Sequence, residues 1–257
     1  MRSAEVLGGL LVLLGATLLL VSGWPPSSAV LWASVSMVAV GVYLLLAPPR
    51  ARMLTPKELV VVSFCAALSA VLGFLPPFFQ VPWMMKIDLV AVPWVVCWLS
   101  LGAFPAMLSA LISVPIVGFL EPFGAGGWVG GISKFLASIW TFLIPAALVR
   151  AGMKRERFTS DNKVALLITG AIVVVRAAFM TAFNYYLAIP WYYGIRIDDF
   201  IALLDRGLGL LKLAIPVSGL MLFVCEMSFW NSLQAVIEFW AALLLYRTLS
   251  GRSRTSR

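Results

Sequence analysis

Three charged side chains, Lys134, Arg176 and Glu238, lie inside long apolar runs, and the amide Asn184 sits near the end of the run that holds Arg176. A charge in the middle of a membrane helix costs about 2.5–3.5 kcal/mol on insertion scales, so each must have a partner or a purpose. Asn231, Gln234 and Glu238 are spaced i, i+3, i+7 and fall on one helix face. Arg176, Met180 and Asn184 drift slowly around one side of their segment, and Lys134, Ser138 and Thr141 share a face of theirs. With a rise of about 1.5 Å per residue, Arg176 and Glu238 fall at similar depth, as ion-pair partners would. Lys134, Asn231 and Asn184 fall nearer the outer surface and read as the wall of a pocket. Amides, one amine and the rings that follow Asn184 in RAAFMTAFNYYLAIPWYYG suit a flat, hydrogen-bonding small molecule.

Several chemistries are excluded. The chain has no histidine, which removes His-based catalysis and metal binding. Cys65, Cys97 and Cys225 lie in apolar segments without metal or redox spacing and read as packing residues. There is no Walker A pattern, no phosphotransferase aspartate pattern and no zinc-protease helix, so neither catalytic residues nor a metal site is expected.

Composition decides the class. At 62% hydrophobic and 12% charged, 257 residues cannot cover a soluble globule with polar surface. Long apolar runs without strict alternation predict an all-α integral membrane protein. The net charge of +8 reflects topology rather than nucleic-acid binding, because the basic residues gather in short loops. Residues 1–49 read as an appended two-helix hairpin, with apolar segments at 6–21 and 29–47. Residues 50–250 form a six-helix core whose segments span about 59–75, 89–101, 105–120, 132–149, 164–190 and 229–249, and 251–257 is a basic tail. Arg150, Lys154, Arg155, Arg157 and Lys163 make the most basic loop, which the positive-inside rule puts in the cytoplasm along with both termini. If residues 207–225 also crossed, the arginine-rich tail would lie outside, so this stretch reads as re-entrant or as an outer cap.

Three segments together resemble the substrate-binding S component of energy-coupling factor (ECF) vitamin transporters, in its riboflavin-binding branch. They are MTAFNYYLAIPWYYG, FWNSLQAVIEFWAALLLYRTL and the MKIDLVAVP stretch that leads into the second core helix and carries Asp88. The resemblance implies a vitamin-binding subunit in the cell membrane that captures riboflavin or a related flavin from outside. It also implies docking on a transmembrane coupling (T) subunit driven by two ABC ATPases, with no cofactor and no catalysis of its own. By position, Asn184 matches the asparagine of the family's N-Y motif, with Tyr185 beside it, and Asn231 that of its N-x-x-K motif. The Ala66-x-x-x-Ala70 spacing matches the small-residue contact with the coupling subunit.

The chain also departs from the pattern. Gln234 stands where the family has lysine, and Gly130-Gly131-Ile132-Ser133-Lys134 replaces a G-E-L-A-N start to the fourth helix. Lys134 is therefore expected to supply the pocket's cation in place of the missing one. An S component for a different small vitamin and a self-contained transporter using Lys134, Arg176 and Glu238 as an ion path remain the alternatives. A chromophore on Lys134 would need a counter-ion, and none is evident around that helix.

Overall fold

The computed structural model describes residues 54–83, 85–120 and 127–255, with isolated positions before residue 54. The chain divides into two compact units, Met1–Thr55 and Pro56–Arg257. The hairpin expected over 6–47 lies outside the described residues except at those isolated positions.

The second unit is a helical bundle. Helix α1 (Pro56–Phe74) is followed by Pro76-Pro77, which cannot continue a helix, and then by a small antiparallel hairpin of β1 (Phe79–Gln80) and β2 (Lys86–Ile87). Next come α2 (Val92–Leu101) and α3 (Ala103–Leu120), with Gly102 at φ +110° turning the chain between them. Helices α4 (Gly127–Ser138) and α5 (Trp140–Arg150) follow almost without a break, and α6 (Glu156–Ser160) lies in the basic loop. Asp161 then caps α7 (Asn162–Phe183), accepting the Lys163 and Val164 N–H groups at 2.8 and 3.4 Å. One wide turn (Asn184–Ala188) joins α7 to α8 (Ile189–Tyr193), which Gly194 ends in the left-handed conformation. Beyond α9 (Ile197–Leu203), a second wide turn (Leu204–Leu208) and a tight turn (Leu211–Leu213) lead to α10 (Gly219–Thr255).

The six expected apolar segments all appear as helix. Among the described residues four stretches are long and apolar enough to cross a membrane, Pro56–Phe74, Val129–Arg150, Asn162–Tyr193 and Gly219–Ser250, while α2 and α3 are shorter. The end of the chain differs from expectation. Of residues 207–225, expected to be one re-entrant or capping stretch, only those up to 218 lie outside the last helix; residues 219–225 belong to it, and it starts ten residues before its expected beginning at 229. Gly207, at φ +125°, breaks the first part, and Gly219, at φ +60°, starts the helix with its N–H held by Asp205 Oδ2 at 2.8 Å. The last helix also continues through most of the expected tail, as far as Thr255.

Helix α10 packs mainly against α7 and α2, and α1 mainly against α3. Large apolar side chains such as Phe64, Val71, Leu166, Leu167 and Val174 point outward, as expected of a surface facing lipid. At the α3–α4 crossing the backbones nearly touch. A Cβ on Gly131 would lie 3.1 Å from Gly118 Cα and 3.5 Å from the Val114 carbonyl oxygen. Gly131→Val therefore forces the helices apart and is expected to cost about 1–3 kcal/mol, read as a lower unfolding midpoint in detergent. Gly170→Ala, on α7 with no atom near the new methyl, is expected to raise or preserve that midpoint because alanine is the better helix former.

Candidate functional site

The polar faces of α4, α7 and α10 converge on one cavity of about 160 Å³, roughly ten times the space a single water needs. The β-hairpin link contributes Trp83, Met85, Lys86 and Asp88; α4 contributes Gly130, Ser133, Lys134 and Ser138; α10 contributes Asn231, Gln234 and Glu238. From α7 and beyond come Arg176, Met180, Asn184, Ala188, Ile189, Tyr192 and Tyr193. The α7 set runs at four-residue steps as far as Asn184. There the backbone widens by one residue, with Ile189 N–H donating to the Asn184 carbonyl, and this shift of register brings Tyr192 and Tyr193 onto the cavity wall.

A buried carboxylate closes the inner end. Arg176 Nη1 donates to Glu238 Oε2 at 2.5 Å, with the two side chains 2% and 0% exposed. The other oxygen, Oε1, accepts Ser138 Oγ at 2.9 Å and Gln234 Nε2 at 2.7 Å. Gln234 also bonds the backbone of Asp88 in both directions, donating to its carbonyl at 2.8 Å and accepting its N–H at 3.3 Å. Asp88 Oδ2 pairs with Lys134 Nζ, and its Oδ1 takes the Val90 N–H at 3.1 Å. Four elements thus share one continuous polar network beside the cavity. At the opposite end Tyr193 OH donates to the Trp83 carbonyl at 2.9 Å, tying α8 to the hairpin.

Asn184, Asn231, Gln234, Lys134 and Asp88, chosen from the sequence, all line this cavity. Asn231 donates to the Met227 carbonyl at 2.8 Å, and Lys134 and Gln234 meet at Asp88 from two helices. Tyr185 does not line it. One residue past Asn184 its ring turns about a quarter of the way around the helix, to pack edge-on against Phe223 at 5.7 Å and Tyr186 at 4.9 Å. The missing counter-ion of Lys134 is also corrected: Asp88, 46 residues earlier and not on a helix, supplies it. Arg176 and Glu238 are more than a pair packed below the site, since both line the cavity. Ala66 and Ala70 are buried by the chain's own helices, and the outward face of α1 carries Val60, Phe64, Val71 and Phe74 instead.

Two contributors were not legible beforehand. Trp83 sits in the link before α2, where only Asp88 was singled out from the sequence. Glu226 is fully buried and accepts Trp83 Nε1 at 3.3 Å, Trp230 Nε1 at 2.6 Å and the Leu211 N–H at 2.6 Å. Reading residues 207–225 as a cap put Glu226 beside a loop and hid it. Among the described residues no cluster of three or more His, Cys, Asp or Glu could hold a metal.

The sequence model of the ECF transporter substrate-specific component matches residues 57–246. The chain belongs to that family. A solved S component of a bacterial ECF transporter shares its fold, with a TM-score of 0.54 at 19% identity over 76% of this chain and 96% of that one. No curated protein sequence matches it. As an ECF S component it is a multi-pass membrane protein and the substrate-binding part of a transporter. Its cavity lies within the matched residues.

Breaking the buried pair tests how far this ECF S component depends on it. Arg176→Met leaves Glu238 charged and without its cation and is expected to cost about 3–5 kcal/mol. Arg176→Met with Glu238→Gln keeps an acceptor for Ser138 and Gln234 and is expected to recover most of that loss, read as the unfolding midpoint of purified protein in detergent.

Proposed function

We propose that this S component captures riboflavin or a related flavin from outside the cell and delivers it to a coupling subunit driven by two ABC ATPases. The observation that carries the reading is one cavity that gathers two amides, Asn184 and Asn231, with the rings of Trp83, Tyr192 and Tyr193 and the apolar side chains of Val117, Val129, Met180 and Ile189. A flavin ring is flat, apolar at its methylated end and lined with hydrogen-bonding atoms at the other. Aromatic and aliphatic walls suit its faces and the amides suit its edge. Carried over from the family's motifs, Asn184 and Asn231 would bond the ligand, with Lys134, Asp88 and Gln234 completing that wall.

The coupling subunit would meet a lipid-facing surface near α1, where Ala66 and Ala70 lie behind exposed apolar side chains. Both termini and the Arg150–Lys163 loop would face the cytoplasm, as the basic residues there require. A cysteine replacing Lys154 is then expected to react with a membrane-impermeant maleimide only after cells are opened; labelling of intact cells would reverse the topology.

Purified full-length protein is expected to carry, or to bind when supplied, a yellow flavin seen in its visible absorption. Asn184→Ala and Asn231→Ala should each weaken binding about tenfold, the cost of one lost buried hydrogen bond. A folded, colourless protein with no flavin binding would refute the ligand and leave the family assignment standing.

A further inference from the structure

One buried carboxylate takes no part in the cavity wall. Glu226 is fully buried near the start of α10 and accepts three N–H groups: that of Leu211 on Oε1 at 2.6 Å, and the indoles of Trp83 and Trp230 on Oε2 at 3.3 and 2.6 Å. Of these three donors only Trp83 lines the cavity. Trp83 lies between β1 and β2, and strands of two residues each cannot fix a loop by themselves. Its neighbours Val81 and Ile87 share a core cluster with Leu222, Phe223 and Met227, but apolar burial is non-directional and leaves the rotation of an indole open. Two hydrogen bonds remove that freedom. Tyr193 OH holds the Trp83 carbonyl, and Glu226 holds the ring through its N–H.

We infer that Glu226 is a positioning residue for ligand capture, which acts without touching the ligand by fixing the orientation of the Trp83 ring on the cavity wall. In all three bonds it accepts, the role of an ionised carboxylate with two oxygens. A carboxamide in its place has one accepting oxygen and turns an NH2 group toward donors, so at least one indole is released. The bond to Trp83 is the longest of the three and shares its oxygen with Trp230, so it is the first to go. A ring left free to rotate must be ordered when the ligand arrives, and this weakens binding. The inference rests on the cavity being the capture site, and it assigns to that site a residue outside its wall.

The test is equilibrium dialysis of the purified full-length protein in detergent against riboflavin, pyridoxine, thiamin and biotin, one at a time. It compares the wild type, Glu226→Gln, Trp83→Phe, the two combined, and Trp230→Phe. Glu226→Gln and Trp83→Phe are each expected to weaken binding of the probe about tenfold. Combined, they are expected to bind no more weakly than the weaker single variant, because both act through one contact. Trp230→Phe removes a donor that does not line the cavity; it is expected to lower the unfolding midpoint and leave affinity unchanged. A residue that only stabilised the bundle would give additive losses and an affinity that follows the midpoint. If riboflavin fails but another probe binds with the expected pattern, the flavin assignment falls and the positioning role stands. Riboflavin bound by the wild type with additive losses would overturn the positioning role and leave the flavin assignment standing. Should Glu226→Gln not fold, Glu226→Asp, one methylene shorter, takes its place. No binding of any probe, unchanged affinity in a folded Glu226 variant, an equal loss in Trp230→Phe, or failure of both Glu226 variants to fold would each overturn it as well.

Discussion

The bundle depends on the carboxylate of Glu238, held away from water where an isolated charge could not survive. Arg176 of α7, Ser138 of α4 and Gln234 of α10 itself saturate its two oxygens, and Gln234 passes the connection to the backbone of Asp88. In a low-dielectric interior an ion pair offsets its desolvation only if the remaining hydrogen-bonding positions are filled as well. Here both oxygens of the carboxylate are engaged, with only the Arg176 Nε–H left without an acceptor among the described residues, and this fixes α4, α7, α10 and the link before α2 to a single point. The cavity wall is thus set by this network more than by shape-matching of apolar side chains, which have little to gain from one another in lipid.

Helix α10 uses the same device twice. Glu226 lies twelve residues before Glu238, about 18 Å along a helix and a third of a turn away in direction. It does not line the cavity but gathers the indoles of Trp83 and Trp230 and the Leu211 N–H, holding the hairpin and the 204–218 segment to the N-terminal end of the helix. One carboxylate organises the floor and the other the roof, with Asn231 between them on the wall. The segments bound by Glu226 are short and irregular, 79–87 and 204–218, and have little regular structure of their own to fix them.

The membrane class, the helical segments and the inward-facing polar residues were legible because each follows from a local rule: the length of apolar runs, the 3.6-residue period, and the cost of a charge in hydrocarbon. Arg176 and Glu238 could even be matched in depth by counting residues. What local rules could not give was pairing across loops. Asp88 reaches Lys134 from a link with no helical period to place it, and Gln234 looked like a lysine lost when its amide in fact braces that same link. Tyr185 was misplaced by adjacency, since neighbours in a helix point about 100° apart. The widened turn at Asn184–Ala188 has no signature in NYYLA, and it decides which of the following tyrosines face the cavity.

A capture subunit must bind and later release its ligand, and this limits how a pocket in a membrane can be polar. A free cation in the wall would hold an anion tightly but would be costly whenever the site stood empty. In this chain the formal charges of the network are matched within the protein, Arg176 by Glu238 and Lys134 by Asp88, so emptying the cavity leaves no ion of that network bare. What the wall offers a ligand are amides, aromatic faces and the Lys86 side chain, and a cavity of this size can hydrate them when vacant. The exchange of water for ligand then turns largely on hydrogen-bond geometry and ring contact. That is a smaller and more selective free energy, suited to a site that must let go.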